Sequence, residues 1–188
     1  MKKLMVLFIV LCLSLLFFIM HSVTNINYNM KEFSLANQSF EKNYCDLTKI
    51  LKRKNFINGY LVSSIEYYPK RGIGNVVYSN VHNNNVVFVT IEDNMFKSAV
   101  RYGVFSKESD KLWGFPIDTE KINIHSSDLA ETLKENDAAF SESDISCLRI
   151  YNNKARNKIL WECYYDDEDH KIAETDANTG EIVRTMDS

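Results

Sequence analysis

The sequence predicts an α+β fold in which helices pack on antiparallel meander sheets, arranged as two small units after an N-terminal membrane helix. Twice along the chain, apolar residues at helical spacing precede several short β-rich runs that are separated by turn residues. Strands follow one another without intervening helices, which is typical of antiparallel pairing. About 165 of the 188 residues follow the N-terminal segment, enough for one ordinary domain or two small ones.

The N-terminal segment is apolar from Leu4 to Met20 and follows Lys2 and Lys3. Such a run, about 26 Å long as a helix, is just long enough to cross a bilayer core. We therefore predict that residues 1–23 form an uncleaved signal anchor, with a cleaved signal peptide as the alternative. The two lysines favour a cytoplasmic N-terminus, which places residues 24–188 on the extracytoplasmic side, or outside the cell if the signal is cleaved.

Charge patterning argues against a nucleic-acid partner. The formal net charge is −3, and the basic residues are scattered except for Lys49 and the run Lys52-Arg53-Lys54. That run falls at the end of a predicted helix, where cations interact favourably with the helix dipole. A solvated helix end is the favoured interpretation, and contact with anionic headgroups or an acidic peptide is the alternative.

The first extracytoplasmic unit is predicted over residues 41–125, after an Asn- and Ser-rich stalk over residues 24–40. Its helix spans Glu41–Lys54, and its strands are predicted at 60–68, 76–81, 86–91, 100–105 and 112–117. The second unit, residues 126–188, begins with a helix from Ser126 to about Phe140. Its strands follow at 145–151, 158–165, 171–176 and, beyond a turn, 181–184. The shared order of helix then strands leaves a diverged duplication open, although no residue-level repeat supports it.

The second unit ends on a distinctive hairpin, Asp176-Ala177-Asn178-Thr179-Gly180-Glu181-Ile182-Val183. Together with the helix before it and a strand carrying Trp161, Cys163 and Tyr165, this ending resembles the PepSY domain family over residues 126–185. Members of that family typically close on Asp-Ala-x-Thr-Gly followed by Glu or Lys and an aliphatic residue. Asp176, Thr179 and Gly180 have structural reasons to occur in such a turn, because Asp and Thr side chains bond backbone amides and glycine adopts positive φ.

The resemblance implies an extracytoplasmic module that binds protein or peptide, because PepSY modules occur in the propeptides of thermolysin-like secreted metalloproteases. Restraint of an envelope peptidase is the partner role it suggests. The predicted contact surface is the hairpin at the end of the aromatic strand, comprising Tyr164, Tyr165, Asp166, Asp167, Glu168 and Asp169. Its acidic residues also leave open weak calcium or ligand binding.

No residue pattern predicts a catalytic, cofactor or metal site, so the sequence favours a binding protein over an enzyme. The four histidines are scattered singly, which does not suggest zinc. Disulfide pairing among Cys45, Cys147 and Cys163 stays open, because an odd number of cysteines faces the oxidising side. An accessory or sensor subunit of a membrane complex is the remaining alternative function.

Overall fold

The protein is organised around paired β-strands. A computed structural model describes residues 2–25, 40–80, 82, 85–93, 95–103, 115–136, 145–165 and 170–185. The α-helices in these ranges are α1 Lys2–Ser22, α2 Phe40–Arg53 and α3 Ser126–Asn136. The strands are β1 Val23–Asn25, β2 Leu61–Tyr68, β3 Ile73–Asn80, β4 Asn85–Glu92, β5 Met95–Gly103, β6 Ile145–Asn153, β7 Lys158–Tyr165, β8 His170–Asp176 and β9 Ile182–Thr185. Short 3₁₀ turns occupy Pro69–Arg71 and Thr119–Lys121.

The predicted α+β class with an antiparallel sheet is confirmed, since every strand pair is antiparallel. Two strand predictions in the first unit need correction. The strand expected at 100–105 begins earlier, at Met95. The strand expected at 112–117 is wrong for its described part, because residues 115–117 are not in a strand. Ile117 instead donates a single backbone hydrogen bond to the carbonyl of Val62, at 2.7 Å.

One sheet contains strands from both predicted units, in the order β1-β5-β4-β3-β2-β6-β7-β8-β9. The two halves meet where β2 pairs with β6, with Ile65 opposite Ile150. We call this pairing the seam. Because the seam is hydrogen-bonded backbone, the two halves form a continuous surface on each face of the sheet. The assignment of the halves as separate domains stays a prediction.

The elements on the two sides of the seam begin at sequence offsets of 84 to 87 residues. Strand β3 runs from 73 to 80 and β7 from 158 to 165, so both ends are offset by 85 residues. The starts of β4 and β8, at 85 and 170, show the same offset. The helices α2 and α3 begin at 40 and 126. The described chain therefore contains two repeats of a helix followed by four strands.

A single hydrophobic cluster covers one face of the sheet and receives both α2 and α3. Tyr44, Leu47 and Leu51 of α2 and Leu129 and Leu133 of α3 are buried in it. Their spacing of three or four residues places them on one face of each helix. A row of cross-strand partners beneath them is also buried and consists of Ala99, Val89, Val76, Ile65, Ile150, Trp161 and Thr175.

The N-terminal helix joins the sheet directly. Helix α1 ends at Ser22, and the next residues form β1, in which Val23 lies opposite Tyr102 of β5. The side chains of α1 from Met5 to Leu15 are exposed. Across the described part of the chain, no helix combines the length and apolar character needed to cross a membrane. The predicted stalk beyond Asn25 lies outside the described residues.

The start of α2 is fixed by a close approach to the sheet. The ring of Phe40 stacks on Tyr67 of β2, with centroids 4.8 Å apart. It also covers Gly74 of β3 so closely that a Cβ atom there would lie 1.9 Å from the ring. Glycine at this position therefore makes room for the aromatic side chain that seats the helix.

Substitution of Gly74 should destabilise the protein through this contact. We expect Gly74→Ala to lower the free energy of unfolding by about 2 kcal/mol, because the ring of Phe40 must move. The effect should nearly vanish in a Phe40→Ala background, where the methyl group meets no ring. Urea unfolding of the four variants in the double-mutant cycle measures both effects. Equal costs of Gly74→Ala in the two backgrounds would show that the ring is not the cause.

Candidate functional site

The predicted contact hairpin is described only where it leaves β7. Tyr165 is 47% exposed, whereas Tyr164 is 7% exposed. Asp166, Asp167, Glu168 and Asp169 lie outside the described residues. Within the described part, Tyr165 is thus the side chain of this hairpin that a partner can reach.

A row of polar side chains crosses the sheet on the face opposite the hydrophobic cluster. Its members are consecutive cross-strand partners from β5 to β8, namely Ser98, Thr90, Asn75, Glu66, Arg149, Glu162 and Glu174. We call this set the polar row. Alternation along each strand sends these residues away from the helices. The polar row therefore places charged side chains on this face of the sheet.

At the seam, the polar row places one cation between two carboxylates. Arg149 of β6 donates from Nε to Oε1 of Glu66 in β2 at 2.9 Å, so an ion pair spans the two repeats. On its other side, Nη1 of Arg149 lies 3.9 Å from Oε2 of Glu162 in β7. The guanidinium carbon lies 5.4 Å from the centroid of the Tyr164 ring. Arg149 therefore links three strands and both repeats.

The carboxylates of the second repeat are buried and paired. Lys171 bonds Glu162, and also Glu174 at 2.9 Å, and Arg156 reaches Glu174 at 3.1 Å. Burial acts to lower the pKa of Lys171, but its hydrogen bonds to the two carboxylates outweigh this and raise it. The ammonium therefore stays charged and bridges two glutamates on neighbouring strands.

Tyr164 belongs to this network. Its hydroxyl donates to Glu162 at 2.9 Å, and burial together with the neighbouring carboxylate raises its pKa. A phenol with a raised pKa is a poor acid and stays protonated, and its hydroxyl already has a partner. The arrangement holds β6, β7 and β8 together. Tyr164, predicted as a contact residue, has a structural position here.

The closing turn is built by Asp176. Its Oδ1 accepts the backbone amides of Asn178 at 2.9 Å and Thr179 at 3.3 Å, and its Oδ2 lies 3.0 Å from the ammonium of Lys158. Burial acts to raise the pKa of Asp176, but these bonds together lower it. Gly180 completes the turn with φ of 79°. These are the bonds expected of a structural turn.

The segment Phe115–His125, which connects the repeats, is docked on this turn. The amides of Asn123 and Ile124 both bond the carbonyl of Ala177, at 2.9 and 3.0 Å. Nε1 of the buried Trp161 donates to the carbonyl of Ile124 at 2.9 Å. We call residues 115–125 the linker. Sequence reasoning did not find it, because its bonds are made by backbone atoms that carry no residue signature.

Cys147 and Cys163 are buried thiols on neighbouring strands that form no disulfide. In the register, Cys147 lies opposite Tyr164 and Cys163 opposite Leu148, so the two sulfurs are directed to different faces. Cys163 belongs to the hydrophobic cluster, where burial raises its pKa. Cys45 is an exposed free thiol. Among the described residues, no group of three or more His, Cys, Asp or Glu side chains is placed to hold a metal ion.

Comparison with known proteins gives one informative similarity. No family model matches the chain, and no curated protein matches it. The fold is similar to the crystal structure of a candidate lipoprotein from Clostridium difficile 630, with a TM-score of 0.58 at 12% sequence identity. The match covers 81% of this chain and 97% of that one. At this identity the similarity shows a shared fold alone.

Asp176 gives the stability of the turn a defined pH dependence. Because its pKa is lowered on folding, its charged form stabilises the protein above the unfolded pKa of about 3.9, and this contribution is lost as pH falls through the folded pKa. We expect Asp176→Asn to reduce the free energy of unfolding by about 1 to 2 kcal/mol at neutral pH. The difference from the unsubstituted protein should shrink below about pH 4.

Urea unfolding across this pH range measures the effect. Glu181→Gln is the matched control, because Glu181 bonds the same ammonium at 3.2 Å but is 69% exposed. An exposed pair contributes little, so this variant should change stability by less than about 0.5 kcal/mol. A pH-independent loss in Asp176→Asn would contradict a role for the carboxylate charge.

Proposed function

We propose that the protein is a membrane-associated, extracytoplasmic module that binds a protein or peptide and restrains an envelope peptidase. The observation that carries the membrane-associated part of this proposal is the junction at Ser22 and Val23. There a helix with exposed apolar side chains passes without a spacer into the edge of the sheet. Exposed apolar side chains along a helix are stable in lipid and costly in water.

Membrane association is supported by the order of charge and apolar residues at the N-terminus. Lys2 and Lys3 precede the apolar run of α1, which suits a cytoplasmic N-terminus and an extracytoplasmic sheet. In this proposal α1 holds the protein at the membrane through its exposed apolar side chains. The similar Clostridium difficile protein is described as a lipoprotein, a class held at the cell envelope, which agrees with this location.

Partner binding is assigned to the end of the sheet formed by the β7–β8 hairpin. Tyr165 is exposed there, and tyrosine is enriched in protein interfaces. Strand β9 follows β8 as the last strand in the sheet order. An extended peptide can add to a sheet edge through its backbone. Docking there would occlude a peptidase cleft.

Site-specific photo-crosslinking in intact cells tests the proposal. A photoreactive amino acid at Tyr165 of the full-length protein should give a discrete adduct with an envelope peptidase. The same group at Ala155, exposed in the turn at the opposite end of β7, is the matched control and should not give it. Absence of the adduct, or equal adducts from both positions, would contradict binding at the hairpin.

An accessory subunit of a membrane complex is a second candidate, favoured by the exposed apolar side chains of α1. Exchange of residues 1–22 for an unrelated membrane helix separates the two functions. Peptidase restraint through the hairpin should survive the exchange, whereas assembly through α1 should be lost. The strand β1 stays in place, so the sheet edge is unchanged.

A further inference from the structure

A groove opens in the first repeat, where α2, the start of β2 and the linker meet. Its volume is about 240 Å³, and its lining includes Tyr44, Thr48, Tyr60, Leu61, Tyr78 and Ile117. Leu61 is 49% exposed at its edge, although it lies in a strand. The groove lies in the first repeat, whereas the β7–β8 hairpin lies in the second.

The floor of the groove is apolar, with its hydroxyl groups already paired. Thr48 Oγ1 lies 2.7 Å from the hydroxyl of Tyr78 and donates to the carbonyl of Tyr44 at 2.8 Å. Tyr78 is fully buried, and burial is the main cause that raises its pKa. With their hydroxyl groups paired, Thr48 and Tyr78 present mainly ring and aliphatic carbon atoms to an occupant of the groove.

The mouth of the groove is cationic. Lys49 and Lys52 of α2 line it, and Arg53 and Lys54 follow at the end of the helix. All four are exposed. Lys49 pairs with Asp46 at 3.3 Å, whereas the other three form no ion pair within the described part of the chain. In a protein of net charge −3, this patch is a local excess of positive charge.

The second repeat shows that the fold itself does not require these features. At the offset of 85 residues between β3 and β7, Tyr78 corresponds to Cys163, which is buried in the hydrophobic cluster. The last turn of α3 carries one basic residue, Lys134, and the helix ends in Glu135 and Asn136. The helix-and-four-strand architecture is thus stable with an apolar filling and without a cationic helix end.

We propose that this groove binds an acidic segment of a partner protein, with one apolar side chain inserted beneath Lys49 and Lys52. The volume suits one large side chain, and the cationic mouth suits flanking carboxylates. A membrane surface could meet the lysines but could not fill a recess between a helix and the linker. The inference rests on the proposed protein-binding function and names the chemistry of the partner.

Fluorescence anisotropy with a defined probe tests the inference on the full-length chain in neutral detergent. The probe is a labelled peptide with one phenylalanine between two runs of glutamate, and we expect saturable binding. Lys49→Glu combined with Lys52→Glu should weaken binding about tenfold or more, because both charges at the mouth are reversed. Leu61→Glu should weaken it similarly. Lys134→Glu, the matched change in the second repeat, should leave it unchanged, and thermal unfolding confirms that each variant folds.

Four outcomes would overturn the inference. Equal binding of a peptide with glycine in place of phenylalanine would show that the groove is not filled. If Lys134→Glu weakened peptide binding as much as the double variant does, binding would depend on net charge alone. Binding to phosphatidylglycerol vesicles that requires Lys49 and Lys52, with no peptide binding, would assign the patch to lipid. A Tyr165 adduct that persists while peptide binding fails would retain the proposed function and reject the groove.

Discussion

The pairing of β2 with β6 is the constraint on which the rest of the structure depends. It places Ile65 opposite Ile150 on one face and, one residue along, Glu66 opposite Arg149 on the other. The first pair joins the hydrophobic layers under α2 and α3, and the second is an ion pair of 2.9 Å. Because side chains alternate along strands, a shift of one residue at the seam would exchange both faces.

The linker makes the two repeats differ, because it packs against each of them in a different way. The chain must pass from the last strand of the first repeat to the first residues of α3, and it is held on the way by Val62 and Ala177. In the first repeat, Ile117 then lies beside α2 and bounds the groove. In the second repeat, Ile124 packs close to Gly180, 3.4 Å from the position of a Cβ atom there. One segment therefore opens a recess on one side of the seam and covers a turn on the other.

Local features were predictable from sequence, and long-range pairing was not. The apolar spacing in residues 41–54 and the turn residues around Gly180 are local signals, and α2 and the closing turn were found from them. The seam joins residues that lie 81 to 87 positions apart, and no pattern within either strand specifies its partner. The run ending at Ile117 has strand composition, but its described residues, 115–117, make one backbone bond, to Val62, and no ladder. The sequence did not reveal that the basic residues at the end of α2 lie at the mouth of a groove, because the linker forms part of that groove.

Native-state hydrogen exchange at the seam tests the central claim, that both repeats share one cooperative sheet. Amides of Ser64–Tyr67 and Leu148–Tyr151 should exchange as slowly as those between β3 and β4 or between β6 and β7, since opening the seam would expose the common hydrophobic layer. Denaturant should then accelerate all three sets with the same dependence. Seam amides that exchange faster than both flanking sets, with a smaller denaturant dependence, would show two independent units that merely touch.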